Sequence, residues 1–315
     1  MPGLNQVNRP KLSTIETWLR CGNYSWQSAT ANTYSLNVAV PQTVDLGLTG
    51  AIASEISRFS CAAYESLLDA ANPSADVRAL GWPIVRHYYA TFYCAHALLR
   101  IAGISVTYVS SEVTTILNHL GGQYLGVSPQ MSSGLYQLVR HAVTPNVVVL
   151  SKVGSGAGGS HVDMWKLFLA FLVDTENSIL QTHGQIPDAI KTVDVSTKLR
   201  AILCLQNKAS GSWPSTVRNA VNYRHDYGIW YPYTRKAQSC LDLSARMKRW
   251  HPDDPKGFDI GASREHLADF ADACNVVTQL LTASLRDIAR RSPKSGKSFV
   301  DHQPFKLLRQ RNFNV

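Results

Sequence analysis

The chain has 315 residues, 45% of them hydrophobic, which is enough apolar material for the core of one large or two ordinary domains. Its formal net charge of +9 favours polyanionic partners through long-range attraction and counterion release. No run approaches the roughly 20 apolar residues of a membrane helix, and Met1 to Pro10 lack the order of a secretory signal, so we expect a cytoplasmic protein with no membrane contact.

Residues 1–45 are polar and rich in Asn, Ser and Thr, and we interpret them as an N-terminal adornment. The pattern of apolar residues predicts a short helix around Ser13 to Arg20. Alternating apolar residues from Tyr34 to Val40 predict a strand.

From Leu46 the apolar residues recur at helical spacing, which predicts a helical domain over residues 46–291. Its helices are predicted from Leu46 to the Asn72-Pro73-Ser74 turn, from Trp82-Pro83 to Ile101, from Ser110 or Ser111 to Gly121-Gly122, and over Leu135 to Val139, Val162 to Leu180, Val193 to Leu205 and Arg264 to Arg291. Val147 to Leu150 is either a single strand or buried extended chain. We therefore predict a mainly α fold, a helical bundle with N-terminal and central adornments and at most a few short strands.

Residues 292–315 are predicted to form a basic C-terminal tail. Basic residues accumulate there and in the last turns of the helix before it, with almost no acids: Arg286, Arg290, Arg291, Lys294, Lys297, Lys306, Arg309 and Arg311. Such a tail is either a solvated surface segment or an arm that contacts nucleic acid.

The segment from Trp213 to Tyr233 carries the strongest functional signal. Pro214 is suited to a helix start and Gly228 to a helix stop, so a helix is predicted over residues 215–227. At 100° per residue, Arg218, Asn222 and His225 fall on one stripe of this helix. The opposite flank is apolar, so one face packs and the other offers polar chemistry.

Arginine and histidine on that stripe suit the cleavage of RNA. RNA carries its own nucleophile in the 2′-hydroxyl, so scission needs a proton acceptor, a proton donor and a cation for the phosphorane charge. A histidine can exchange protons near neutral pH and an arginine binds phosphate oxygens. Arg218 and His225 lie roughly 10 Å apart along the axis. Two such helices, antiparallel across a two-fold axis, would bring each arginine near the other protomer's histidine, which predicts a homodimer.

Two segments also carry a resemblance to a known family. Arg218-Asn219 through His225 read R-N-x-x-x-x-x-H, which resembles the R-x(4 to 6)-H motif of HEPN-superfamily ribonucleases. Tyr88 to Leu99 read Y-Y-A-T-F-Y-C-A-H-A-L-L and resemble the Y-Y-A-x-F-x-x-A-x-A-L-L core helix of many HEPN proteins, upstream in the expected order. The resemblance covers about Leu46 to Tyr233, and these two segments match best.

This resemblance implies a HEPN-like helical bundle that dimerises and cuts RNA without a metal, often as a toxin or an antiviral-defence effector. It implies that Arg218 and His225 are catalytic and that Asn219 is a polar helper; we expect Asn222 to help orient them. The implied partners are RNA, a second copy of the chain and an antitoxin or ATPase partner protein, with no cofactor.

Aromatic and basic residues beside the proposed cleft suggest where RNA could bind. Those predicted to contact RNA are Tyr223, Arg224, Tyr227, Arg235 and Lys236, because aromatic rings stack on unpaired bases and basic side chains bind phosphates. Such an aromatic cluster is alternatively part of the core.

Two glycine motifs offer weaker alternatives. Gly154 to Gly159 satisfy G-x-G-x-x-G before a helix, with Asp174 about twenty residues on, but no strand-helix alternation recurs elsewhere. The segment is an ordinary linker or a flexible loop near phosphates, and His161 directly after it is an extra site candidate. Ser295 to Ser298 imitate the end of a P-loop, but Arg291 stands where its first glycine should be.

The spacing of cysteines and histidines indicates no metal site. The six cysteines form no C-x-x-C pair. His87, His96, His119 and His141 lie on or near apolar helices without H-E-x-x-H spacing, so we interpret them as core or surface histidines.

Two rival functions remain open from the sequence. The chain could be a non-catalytic HEPN-like module that binds RNA or a protein, partnering a nucleotidyltransferase or an ATPase. It could also be a structural helical subunit of a larger assembly.

Overall fold

The computed structural model describes residues 1, 3–38, 47–71, 79–140, 144, 146–154, 159–230, 240–251, 258–260, 265–293 and 296–315. The helices are α1 Ile15–Cys21, α2 Leu48–Ala71, α3 Gly81–Ile101, α4 Ser111–Leu125, α5 Gly159–His183, α6 Pro187–Leu203, α7 Trp213–Tyr223, α8 Cys240–Met247, α9 His266–Arg290, α10 Phe299–His302 and α11 Pro304–Arg309. The strands are β1 Tyr24–Thr30, β2 Thr33–Val38, β3 Ile104–Val109, β4 Gly134–Arg140 and β5 Val147–Lys152.

The five strands form one antiparallel sheet in the order β1-β2-β5-β4-β3. The prediction of a mainly α, HEPN-like bundle with at most a few short strands is therefore wrong, and the fold is α+β. Residues 24–38, within the segment predicted as an adornment, supply two strands of this sheet.

Strand β4 is the clearest error of the sequence prediction, because Leu135 to Val139 was expected to be helical. In the structure Tyr136 and Leu138 are buried and Gln137 between them is half-buried, which is the two-residue period of a strand. Five residues are too few to separate the two periods. Pairing with β3 on one side and β5 on the other decides the conformation.

Most predicted helices are confirmed with shifted ends, and α6, predicted to begin at Val193, begins at Pro187. Pro83 is the third residue of α3, and the N–H groups of the first turn have no intrahelical acceptor, so a proline there costs no hydrogen bond. Ser110 caps α4, its side chain accepting a hydrogen bond from the Val113 amide. The strand predicted near Tyr34 is β2, and Val147 to Leu150 belong to β5.

The chain divides into two compact units. The first comprises Met1–Ser60, His96–Ser160 and Ser284–Leu307, and the second comprises Cys61–Ala95, His161–Ala283 and Leu308–Val315. The sheet lies in the first unit, where α1 contacts α4 and β3, and α4 contacts β1.

A buried ion pair organises the first unit. Arg100 and Glu55 are 1% and 3% exposed, and Arg100 Nε lies 2.6 Å from Glu55 Oε2. Glu55 also accepts the amide of Ile15, the first residue of α1, and Arg100 donates to the carbonyl of Val106 in β3. Both charges are therefore satisfied by hydrogen bonds, and they link α1, α2, α3 and β3.

The second unit is packed around large aromatic side chains. Trp165, Trp213 and Phe270 are buried, and the last two are in edge contact at 6.4 Å between ring centroids. His87 is buried beside Phe270, and burial lowers its pKa to about 4, so it stays neutral at pH 7. Of the two interpretations left open for His87, core or surface histidine, the structure shows the first.

The segment predicted as a basic tail is partly folded. Residues Phe299 to Arg309 form α10 and α11, and Phe299, Val300, Phe305 and Leu308 are buried. Ser298, in the sequence that imitates a P-loop, caps α10 through a capping box with Asp301. Lys294 and Ser295 lie outside the described residues.

The strand before the G-x-G-x-x-G segment does not have the surroundings of a dinucleotide site, which needs parallel strands joined by a helix. Strand β5, which precedes the segment, pairs antiparallel with both of its neighbours. Residues 155–158 lie outside the described part of the chain. Gly159 has a left-handed backbone, φ 70°, at the start of α5.

Across the described residues, no helix combines the length and apolar character needed to cross a membrane. Over the same residues, no group of three or more His, Cys, Asp and Glu side chains is arranged to hold a metal ion.

We predict that Arg100→Ala destabilises the protein by about 3–5 kcal/mol, because it leaves the Glu55 carboxylate buried without its cation. The measurement is the free energy of unfolding by urea. A matched control is Arg20→Ala, which removes an ion pair with Glu112 whose side chains are 49% and 66% exposed. It should cost less than about 1 kcal/mol. Equal losses for the two variants would contradict the structural role of the buried pair.

Candidate functional site

Helix α7 positions the arginine predicted to be catalytic. Trp213 and Pro214 begin the helix, and Val217, Ala220 and Val221 are buried along its inner face. The predicted polar residues lie elsewhere on the helix: Arg218 and Asn222 are half-buried and Asn219 is exposed. The buried flank of Val217, Ala220 and Val221 agrees with the predicted packing face, whereas Arg218, predicted on the polar face, is itself half-buried.

The end of α7 differs from the prediction, because the helix stops at Tyr223 instead of reaching residue 227. His225 has a left-handed backbone, φ 54° and ψ 32°, so Arg218, Asn222 and His225 do not form one helical stripe. In a continuing helix the Val221 carbonyl would accept the amide of residue 225. Here it accepts the indole N–H of Trp230 at 2.8 Å, which gives the carbonyl another partner.

His225 lies against Trp230, not on the polar face of α7. The two ring centroids are 5.7 Å apart with an interplanar angle of 35°, and the His225 side chain is exposed. The sequence missed this contact because it follows from the chain reversal between Arg224 and Trp230.

Arg218 lies over two tyrosines of α3. Its guanidinium carbon is 5.3 Å from the ring centroid of Tyr88 and 5.7 Å from that of Tyr89, distances that permit cation–π attraction. Its Nε–H is buried and has no hydrogen-bond partner among the described residues. A half-buried cation with an unused donor is suited to binding an anionic oxygen.

The hydroxyl of Tyr88 joins three helices at this site. It lies 2.8 Å from Nδ1 of His161 in α5 and 2.8 Å from Oγ of Ser215 in α7. It also accepts the indole N–H of Trp165 at 3.3 Å. All of these residues belong to the second unit.

Hydrogen-bond capacity limits this network to two arrangements. A tyrosine hydroxyl donates once and accepts twice, and the indole of Trp165 can only donate. In one arrangement Tyr88 donates to Ser215 and accepts from His161 Nδ1–H, which leaves Nε2 of the imidazole free to take a proton. In the other, Ser215 donates to Tyr88, Tyr88 donates to His161 Nδ1, and the imidazole proton is on Nε2.

His161 is held in an apolar and electropositive environment. Its ring lies 4.3 Å from that of Phe92 and 5.9 Å from that of Tyr88, centroid to centroid. Burial first, and the charge of Arg218 second, lower the pKa of His161 below its ordinary value. The imidazole is therefore neutral at pH 7 and able to accept a proton. Burial raises the pKa of Tyr88, so its hydroxyl keeps its proton at that pH.

The remaining predicted RNA contacts are placed as follows. Tyr223 is 71% exposed and Arg224 is exposed, at the end of α7. Tyr227 is half-buried, and burial and the nearby Asp226 raise its pKa. Arg235 and Lys236 lie outside the described residues.

Sequence reasoning missed most of this cluster. His161 was singled out only for its place after the glycine-rich segment, and Tyr88 only as part of a family-like motif. Ser215 and Trp165 were not considered as site residues. One signal was available: Ser215 precedes Arg218 by three residues, so both lie on the same side of α7.

Comparisons with protein-family models, with curated proteins and with solved structures found no match for this chain. The HEPN resemblance therefore rests on the two sequence motifs alone and stays a prediction.

We predict that Arg218→Gln raises the pKa of His161, because it removes one of the two causes that lower it. The measurement is a pH titration of histidine ring signals by NMR. The matched control is Arg224→Gln, which removes an exposed arginine from the end of the same helix and should leave the pKa of His161 in place. A pKa that falls or stays constant in Arg218→Gln would show that the two groups are not coupled.

Proposed function

We propose that this protein is a metal-independent endoribonuclease in which Arg218 binds the scissile phosphate and His161 transfers the proton. The supporting observation is the pairing, around the Tyr88 hydroxyl, of a cation with a buried unused N–H and a histidine with a lowered pKa. Perturbed titratable groups beside a fixed charge are typical of catalytic sites.

The proposed reaction needs these two side chains, the substrate and water. In the arrangement in which Nδ1 of His161 carries the proton, Nε2 accepts the 2′-hydroxyl proton, and the 2′-oxygen attacks the adjacent phosphorus. Arg218 donates hydrogen bonds to the non-bridging oxygens as negative charge grows on them. The bond between phosphorus and the 5′-oxygen breaks, and the leaving oxygen takes a proton from water. The protonated His161 gives its proton to the hydroxide that remains, which restores the neutral imidazole. The products carry a 2′,3′-cyclic phosphate and a 5′-hydroxyl.

RNA is favoured as the substrate by charge and by chemistry. The net charge of +9 draws a polyanion to the protein. The 2′-hydroxyl supplies a nucleophile that DNA lacks, so a proton acceptor and a cation suffice for RNA alone.

The proposal keeps Arg218 from the sequence prediction and replaces the histidine. His225 as the proton-transfer residue stays a prediction that requires a two-fold dimer, in which His225 of one protomer would approach Arg218 of the other. Within one chain, the Tyr88 hydroxyl lies within hydrogen-bond distance of both His161 and Ser215, and Ser215 is on the same helix as Arg218. For this reason we prefer His161 to His225 as the proton-transfer residue. The homodimer, the antitoxin and the ATPase partner also stay predictions.

We predict that His161→Ala lowers the rate of RNA cleavage by about 10²- to 10⁴-fold, the range for loss of a general acid or base. His225→Ala should lower it far less, since its ring packs on Trp230. The measurement is the initial rate on a labelled single-stranded RNA, in EDTA, with circular dichroism to check folding. The acidic limb of the pH profile of kcat/KM, which reports the protein without substrate, should lie below about pH 6.5, because the pKa of His161 is lowered.

Three other results would contradict the proposal. If His225→Ala abolishes cleavage and His161→Ala does not, the dimeric arrangement replaces the one proposed. If EDTA stops cleavage, the reaction depends on a metal. If the wild-type protein binds RNA and leaves it intact, the chain is a binding module.

A further inference from the structure

A second aromatic cluster lies at the start of α3 and beyond the end of α7. Its members are Trp82, His225 and Trp230, here named the ring platform. Trp82 meets Trp230 edge-on at 5.8 Å between centroids, and His225 lies tilted on Trp230 at 5.7 Å. Trp82 is 60% exposed and His225 is exposed, so aromatic surface faces solvent.

The ring platform is held in place by its own hydrogen bonds and packing. The Trp230 indole N–H is bound to the Val221 carbonyl at the end of α7. The Leu80 amide donates to the Ile229 carbonyl at 3.1 Å, which fixes the chain next to Trp230 at the start of α3. The Trp230 indole packs directly against the backbone of Gly81, where the Cβ of any other residue would overlap the ring. Trp230 therefore has one fixed position.

Backbone strain accompanies this position. His225 and Tyr227, neither of them glycine, have left-handed backbones with φ of 54° and 69°. Each such residue costs roughly 1–2 kcal/mol relative to a right-handed backbone. Strain of this kind persists where the surroundings fix a conformation and is concentrated at binding sites.

The surroundings of the ring platform carry positive charge. Residues Gly81 to Ala95 of α3 contain no acid, and Arg86 one turn after Trp82 is exposed. Between Trp213 and Trp230 the sequence has one acid, Asp226, and two arginines. An anionic ligand is therefore favoured over an acyl chain or another basic surface.

The ring platform is close to the site of Arg218. Trp82 and Tyr89 are seven residues apart on α3, so they lie on one side of the helix, roughly 10 Å apart along its axis. Arg218 lies over Tyr89. Ten ångströms is the length of about three stacked nucleotides at roughly 3.4 Å each, so one strand can reach both places.

We propose that the ring platform stacks an unpaired nucleobase of single-stranded RNA while a phosphate about three nucleotides along the same strand lies at Arg218. Base faces are available for stacking only in an unpaired strand, which selects single-stranded over duplex RNA. The inference rests on the proposed function for the identity of the ligand, and it assigns His225 to base binding instead of proton transfer.

The test measures binding without cleavage. The probe is a fluorescent single-stranded RNA with 2′-O-methyl groups throughout, which has no 2′-hydroxyl to attack the phosphate, and binding is followed by anisotropy. Trp82→Ala is expected to weaken binding by about 5- to 100-fold, the equivalent of one lost base stack. Trp82→Phe should retain most of the affinity. The matched control is Tyr108→Ala, which removes another side chain exposed to 60% and should leave affinity unchanged.

A probe with abasic nucleotides identifies the contact as stacking. The wild-type protein should bind the abasic probe as weakly as Trp82→Ala binds the intact probe. Trp82→Ala should bind the abasic and intact probes with equal affinity. The proposal would be overturned if Trp82→Ala bound the intact probe as tightly as the wild type does. It would also be overturned if Trp82→Ala weakened binding of the abasic probe as much as binding of the intact probe. So would a change of oligomeric state in Trp82→Ala by analytical ultracentrifugation, which would make the ring platform a contact between two copies.

Failure of this proposal is distinct from failure of the proposed function. Binding that depends on Trp82, without any cleavage of unmodified RNA, sustains the ring platform and removes the nuclease. If cleavage depends on His161 and binding is unchanged in Trp82→Ala, the nuclease proposal stands and the ring platform is not a binding site.

Discussion

The site depends on one buried hydroxyl. Tyr88 has a single proton to donate and two lone pairs to offer, and partners on α5 and α7 use them all. Losing any partner would leave a buried polar group unsatisfied, at about 1–3 kcal/mol. The same limit couples the tautomer of His161 to the hydrogen bond of Ser215: His161 carries its proton on Nδ1 when Ser215 accepts from Tyr88, and on Nε2 when Ser215 donates to Tyr88. A rigid hub of this kind can hold an imidazole within the narrow tolerance that proton transfer requires.

Electrostatics and packing act together on His161. Aromatic neighbours remove water from the imidazole, and the charge of Arg218 further disfavours its protonated form. The guanidinium in turn is held over the faces of Tyr88 and Tyr89, which attract it without neutralising it. A phosphate would supply the missing counter-charge, and its arrival would also make protonation of His161 easier. In the proposed reaction, binding of the substrate phosphate would therefore be coupled to proton uptake by His161.

The features that the sequence predicted are those that depend on residues close together in the chain. Pro83, Pro214 and the 3.6-residue period located α3 and α7, and Arg218 followed from the polar face of α7. The parts that were missed depend on distant residues. His161 meets Tyr88 across 73 positions and Ser215 meets it across 127. Likewise, β4 is a strand because it pairs on both sides, and α7 ends early because Trp230 occupies a carbonyl nine residues before it.

The most direct measurement of the central claim is a histidine NMR titration with a dinucleotide that carries a 2′-O-methyl group and cannot be cut. The chain has ten histidines to compare. The account predicts that the His161 ring signals shift on addition and that the pKa of His161 rises, because a phosphate at Arg218 offsets the positive charge beside the imidazole. His119, exposed on α4, should not respond. If His161 is unaffected while the dinucleotide binds, its phosphate lies elsewhere and the proposed site is wrong.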